Sequence, residues 1–215
     1  MLFDTVIVCG IDEAGRGSFI GPLVIAGVAI DESHLDVLQR AGVADSKVLT
    51  PDARLRLYRM ILEKSASCVV RRCRPRTIDN SVLFHGLTDL EIIKMADIIS
   101  HTPADAYYVD SCYSDAAQFG KRLKDVTQQT QIHSHVYADS KFVVVAAASI
   151  VAKVLRDKSI QNIQKSHPVG SGYPTDSDTI RYLRKVYFAT GVMPPFVRQS
   201  WSTMRRVLGD QRFVT

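Results

Sequence analysis

Asp12 and Glu13 are adjacent carboxylates at the end of an apolar run, Val6-Ile7-Val8-Cys9-Gly10-Ile11, and Gly15-Arg16-Gly17 follows at once. Hard divalent cations take carboxylate oxygens. Glycines let backbone N–H groups come close to an anion, and Arg16 adds a bidentate donor. The stretch reads either as a metal- and phosphate-binding strand end or as a plain strand, polar turn and second strand. Two more acids fall at similar places: Asp110 closes the run from Ala106, and Asp139 comes just after the run over 131–137. In open α/β sheets, sites gather at the carboxyl ends of strands. Four carboxylates brought together repel unless cations neutralise them. Two divalent ions about 3.5–4 Å apart would do so and would suit phosphodiester hydrolysis. All-oxygen ligation favours Mg²⁺ or Mn²⁺ over zinc. Taken alone, Asp139 reads equally well as a helix N-cap.

One geometric condition follows. Successive side chains of a strand leave opposite faces, so Asp12 and Glu13 share a site only if the strand distorts or ends there. Among the other acids, Asp157 in Arg156-Asp157 reads as a structural ion-pairing residue, Asp115 as a helix cap and Asp45 as an outer-shell group. His133 and His135 share a strand face with no third ligand spaced for a metal, and read as polar edge-strand residues.

The elements that position these residues follow an α/β pattern. Strands are expected over 2–11, 22–30, 66–73, 106–110 and 131–137. Asp31-Glu32-Ser33 caps a short helix over 34–41, and Thr50 with Pro51 starts another. A long helix runs from Asp79 or Asn80 to about Ser100, with Ile92, Ile93, Ala96 and Ile99 inward. Further helices cover 114–125, 143–164, 177–189 and 197–208. Tyr173 sits in a tight loop, Gly170-Ser171-Gly172-Tyr173-Pro174. No linker-like boundary interrupts the chain. Residues 1–165 read as a core and 166–215 as a helical lobe packed on it, in one compact unit.

The 215 residues are 46% hydrophobic, enough for a proper core, and Lys+Arg 27 against Asp+Glu 22 gives +5. This balance is compatible with nucleic acid but does not by itself establish it. Basic clusters occur at Arg71, Arg72, Arg74 and Arg76, at Lys121, Arg122 and Lys124, and at Arg198, Arg205 and Arg206. The four cysteines show no C-x-x-C spacing, which excludes a zinc ribbon and a disulfide framework and fits a reducing, cytoplasmic setting. No apolar run reaches the roughly 18–20 residues of a membrane span. The N-terminus, with Asp4 and no basic residue, does not read as a signal peptide.

Six segments occur in a telling order between residues 6 and 206. They are Asp12-Glu13-Ala14-Gly15-Arg16-Gly17 with Gly21-Pro22, Asp45-Ser46-Lys47 with Leu49-Thr50, and Tyr108-Val109-Asp110. Next come Ala138-Asp139 ahead of Ala146–Val154 and Arg156-Asp157, then Gly170–Pro174, then Phe196-Val197-Arg198 with Ser200-Trp201. This series resembles the type 2 ribonucleases H, that is, archaeal ribonuclease HII and the catalytic subunit of the eukaryotic enzyme. The resemblance implies a five-stranded mixed sheet flanked by helices, with a helical C-terminal lobe. It implies metal-dependent cutting of the RNA strand of RNA–DNA hybrids, and of single ribonucleotides in duplex DNA, on their 5′ side. Asp12, Glu13, Asp110 and Asp139 would be the catalytic metal ligands, for two Mg²⁺ or Mn²⁺ ions. Gly15, Arg16, Gly17, Lys47, Ser149, Lys153, Tyr173 and Arg198 would bind substrate. Tyr173 would stack on the sugar after the ribonucleotide, although an arbitrary Gly-Tyr-Pro loop more often packs its ring on neighbouring helices. By position alone, His167, close to that loop, is a candidate to assist near the metals. The chain departs from the family at Ser18, where proline or asparagine is common. Its tail, Gly209–Thr215, lacks the second aromatic of the archaeal sliding-clamp motif, so the resemblance does not extend to clamp binding. A monomer is expected.

Overall fold

Two close helix–strand crossings organise the sheet. The computed structural model describes residues 5–43 and 49–209. Strands β1 (Ile7–Ala14), β2 (Leu23–Asp31), β3 (Ser65–Cys73), β4 (Ala106–Asp110) and β5 (Ile132–His135) form one mixed sheet in the order β3-β2-β1-β4-β5. β1 and β2 are antiparallel, while β1, β4 and β5 run parallel. Strand β2 is buried along all but its last residue, as expected of a strand covered on both faces. A Cβ built on Gly10 would lie 2.1 Å from the Val144 carbonyl oxygen, at the start of helix α6 (Val143–Gln164). A Cβ on Gly27 would lie 2.3 Å from Ile98 Cγ2 on helix α4 (Leu87–Ser100). Gly27 pairs with Ile11, one residue on from Gly10. By strand alternation, α6 therefore covers one face of the sheet and α4 the other.

The remaining helices are α1 (Leu35–Arg40), α2 (Pro51–Lys64), α3 (Pro75–Phe84), α5 (Ala116–Thr127), α7 (Ser177–Thr190) and α8 (Ser202–Leu208). Side-chain caps open several of them. Thr50 Oγ1 accepts from Ala53 N–H with Pro51 in the first turn, Asp115 accepts from Gln118 N–H, and Asp176 accepts from Asp178 N–H.

The described chain divides into two compact units. The first comprises Met1–Ala14, Val24–Arg71 and Thr88–Val154 and contains nearly all of the sheet. The second comprises Gly15–Leu23, Arg72–Leu87 and Leu155–Thr215. It has its own apolar core, in which Phe19 and Ile20 pack with Ile160, Leu183, Val197 and Met204.

Three local expectations are corrected. Strand β1 does not stop at Ile11 but pairs with β2 as far as Ala14. The long helix over 79–100 is two helices, α3 and α4, parted at Gly86, whose φ of +92° lies in the left-handed region glycine adopts readily. Ile93 lies exposed rather than inward, and Leu90, Glu91, Ile92, Met95, Ile98 and Ile99 form the buried side of α4. The last helix begins at Ser202 rather than 197, because Val197 forms a bridge to Ile20 instead.

Candidate active site

Asp12 lies in regular strand. The register continues through Asp12↔Ala26, Glu13↔Ile25 and Ala14↔Val24 with no bulge. The parallel pairing of β1 with β4 stops at Ile11↔Val109, one residue short of Asp12 and Asp110. Asp12 shares its face with Gly10, hence with α6. Asp110 shares its face with Tyr108, whose ring meets that of Phe142, just before α6, at 4.8 Å between centroids. Both aspartates thus emerge on the α6 side where β1 and β4 end their pairing. Glu13 leaves the opposite face by the same alternation. It reaches Asp12 through its backbone, its N–H donating to Asp12 Oδ1 at 2.6 Å.

Helix α6 supplies partners for this pair. Its run of buried alanines, Ala146, Ala147, Ala148 and Ala152, together with Gly10, lets it lie close on the sheet. Ser149 hydrogen-bonds Asp12, and Lys153, one turn later, donates from Nζ to Ser149 Oγ at 3.0 Å. The Asp12 carboxyl is pushed up to about 7, first by burial and then by the charge of Asp110. Ser149, the Glu13 N–H and the Lys153 charge pull the other way. Asp110 Oδ1 accepts from Ala138 N–H at 2.6 Å. That bond fastens the 3-10 turn Ala138–Ser140, in which Asp139 is buried. Tyr137, at φ +55°, turns the chain into it.

These residues suit a hard cation in their chemistry. The donors are carboxylate oxygens, and the charge repulsion between Asp12 and Asp110 is what a bound cation would relieve. Among the described residues, no three acidic, histidine or cysteine side chains are gathered tightly enough to hold a metal ion. The structure therefore brings together Asp12 and Asp110, with the Asp139 turn tied to them, and leaves the Glu13 side chain on the other face.

In the second unit, the loop after β1 is held by main-chain bonds. Phe19 and Ile20 N–H donate to Gly172 O, and Gly21 N–H donates to Phe196 O. Gly15 and Gly21 have φ of +88° and +86°. Arg16 is half-buried and Gly17 exposed. Tyr173 is half-buried, with the Arg156 guanidinium 4.4 Å above its ring centre. Asp176, held down to about 2 by hydrogen bonds from Ser171, ties the start of this loop to α7.

Arg198 corrects an expectation. Sequence placed it against substrate, yet its side chain is fully buried. Its Nε donates to Gly21 O at 3.1 Å, its Nη1 donates to Arg16 O at 2.9 Å, and its guanidinium lies 5.1 Å from the Trp201 ring centre. Burial and the nearby Arg156 charge lower its pKa to about 10.

Lys47, with Asp45 and Ser46, lies outside the described residues. Asp157 pairs with Arg156 at 3.4 Å. His133 stacks on Tyr108 and His135 packs on Phe142, both on edge strand β5. His167 bonds the Tyr182 hydroxyl and packs on Phe196. Two buried charged residues escaped the sequence reading as structural actors. Arg156 entered only as part of a motif. Glu91, fully buried on α4, accepts from the Cys112 thiol, and its apolar helical neighbours gave no sign of it.

The description of ribonuclease HII as a family matches residues 9–204. The chain belongs to the ribonuclease HII family. Ribonuclease HII of Cenarchaeum symbiosum is 48% identical over 202 residues, 94% of this chain and 98% of that relative. Two solved structures of the family are similar throughout. Ribonuclease H2 from Pyrococcus horikoshii OT3 gives a TM-score of 0.87 at 36% identity, covering 97% of this chain and 99% of that one. Ribonuclease HII of Archaeoglobus fulgidus, solved in complex with PCNA, gives 0.86 at 34% identity over 93% and 96%. As a ribonuclease HII, the chain is a hydrolase of the ribonuclease H type with the five-stranded mixed sheet expected of it. Among the described residues, no helix is long and apolar enough to cross a membrane.

Proposed function

We propose that this ribonuclease HII cuts the RNA strand of RNA–DNA hybrids and also duplex DNA carrying a single ribonucleotide. Cutting would fall 5′ of the ribonucleotide and leave a 3′-OH and a 5′-phosphate. The observation that carries the reading is the mutually repelling pair of buried Asp12 and half-buried Asp110 at the ends of β1 and β4. In this reading Asp12, Asp110 and Asp139 would hold two divalent cations, Mg²⁺ or Mn²⁺, and Glu13 would join them by turning its side chain from the α4 face toward theirs. When bound, such cations supply Lewis acidity for attack by water and charge compensation for the departing oxygen.

The chain's own residues do the rest. Ser149 and the Glu13 N–H orient the Asp12 carboxylate. Lys153 offers positive charge to a backbone phosphate beside it, and Lys47 does the same from its own segment. Such contacts position a duplex without reading sequence. Gly15-Arg16-Gly17 and Tyr173 read the ribose, since the 2′-OH is what separates RNA from DNA at a site. The chain acts as a monomer, and clamp binding is not part of this reading.

The test is an end-labelled duplex containing one ribonucleotide, incubated with the protein in Mg²⁺, Mn²⁺ or EDTA. Cutting on the 5′ side with a 3′-OH product, abolished by EDTA, is the expected result. Cutting on the 3′ side, or a cyclic phosphate end, would refute it.

A further inference from the structure

The second unit buries two arginines, while none of its acids is buried among the described residues. Arg198 is fully buried and Arg156 nearly so. Each holds the backbone carbonyl of a different loop, and Arg156 also pairs with the half-buried Asp157 through Nη1. Arg198 Nη1 takes Arg16 O and its Nε takes Gly21 O. Arg156 Nη2 takes Ser171 O at 2.5 Å, and its planar face covers the Tyr173 ring. The two charges are close enough that Arg156 disfavours the ionised form of Arg198. Burying like charges together is costly, so the arrangement calls for a compensating role.

The geometry of the 16–17 peptide indicates that role. A trans peptide points its C=O and its N–H in opposite directions, and the described chain contains no cis peptide. With Arg16 O turned inward onto Arg198, the N–H of Gly17 is turned outward. Gly17 is exposed, and a Cβ there would meet nothing within 4 Å. The neighbouring N–H groups of Phe19, Ile20 and Gly21 are all consumed by Gly172 O and Phe196 O. Arg156 acts likewise on the second loop. Its Nη2 holds the Ser171 carbonyl while Nη1 meets Asp157, its face fixes the Tyr173 ring, and Gly172 leaves room for it, since a Cβ there would sit 3.1 Å from Arg156 Nη2.

We infer that Arg198 and Arg156 are positioning residues for ribose recognition: Arg198 aims the Gly17 N–H outward, and Arg156 sets the plane of the Tyr173 ring. The inference rests on the proposal that these two loops read the 2′-OH. Both jobs need a flat, forked donor, which lysine cannot imitate.

The experiment measures binding by fluorescence anisotropy in EDTA, comparing a duplex with one ribonucleotide against the same duplex in all-DNA form. Arg198→Lys and Arg156→Lys keep the charge. Each is expected to lose about five- to tenfold of the ribonucleotide preference, the size of one misdirected hydrogen bond, while affinity for all-DNA duplex changes by less than about twofold. Gly17→Pro, which deletes the N–H, and Tyr173→Ala test the underlying reading. If these two keep the preference, the ribose-reading proposal fails and the inference falls with it. If they lose it while folded Arg198→Lys and Arg156→Lys keep it, only the positioning role fails. Guanidinium N–H exchange in the wild-type protein, followed by NMR, needs no variant. Slow exchange of Arg198 and Arg156 is expected, and rapid exchange of both would overturn the assignment.

Discussion

In metal-free protein, Asp12→Asn should raise stability at pH 8, an unusual result for a buried polar residue. Burial and Asp110 lift the Asp12 carboxyl from 3.8 to about 7. The folded state therefore binds this proton more tightly than the unfolded state. Its stabilising contribution is fully present below about pH 4 and is lost as pH rises through 7. Roughly three pKa units correspond to about 4 kcal/mol between the protonated and ionised forms. Asparagine keeps the shape and removes the charge, but it weakens the hydrogen bonds from Ser149 and the Glu13 N–H, which costs about 1–3 kcal/mol. A net gain of about 2 kcal/mol remains at pH 8, or roughly 4–8 °C in Tm for a chain of this size. At pH 5 wild-type Asp12 is itself protonated, and the gain should vanish. Calorimetry in EDTA at pH 5 and pH 8 reads the difference. A variant less stable than wild type at pH 8, or a difference that does not change between the two pH values, would refute the reasoning.

Gly10→Ala should destabilise the fold by several kcal/mol, because the new methyl would meet the Val144 carbonyl at 2.1 Å; thermal melts check it, and a loss under about 1 kcal/mol would contradict the packing. Asp79→Ala should cost about 1–3 kcal/mol and speed amide exchange at Gln199 and Ser200, whose N–H groups donate to that carboxylate. Asp176 is held down to about 2, so its contribution is present above about pH 4 and lost as pH falls through 2. Asp176→Ala should accordingly remove part of the acid sensitivity of the Tyr173 loop, measured as its proteolysis rate between pH 2 and 5.

Much of this was legible because local chemistry and fold agree. Thr50-Pro51 and Asp115 open their helices through short-range bonds that the spacing anticipates, while the Asp176 cap went unread. Strand β4 ends at Asp110 and α6 spans 143–164, both as expected. What escaped depends on partners distant in sequence. Asp12 and Glu13 have low strand preference, yet β2 supplies an unbroken backbone ladder that carries β1 past them. Val197 forgoes the helix suggested by its neighbours because Ile20 offers a bridge. The apolar pattern runs on past Gly86, and the positive φ that divides the helix there is set by the folded backbone. Arg198, followed by Arg205 and Arg206, reads as part of a basic surface. Only the inward carbonyls of Arg16 and Gly21 reveal that it is buried. For the site, sequence picked out the four acids, and the structure adds their faces: Asp12 and Asp110 on that of α6, Glu13 on that of α4.

If the Asp12–Asp110 pair is the chemical centre of a nuclease for RNA paired with DNA, removing one charge must stop cutting and spare binding. Single-turnover cutting of a labelled RNA–DNA hybrid in Mg²⁺ by wild type and by Asp110→Asn, with hybrid affinity measured alongside in EDTA, reads both. Rapid cutting by wild type and a loss of at least about a thousandfold in the variant are expected, with hybrid affinity unchanged or improved because a charge facing phosphate has gone. Cutting by Asp110→Asn within about tenfold of wild type would contradict that assignment.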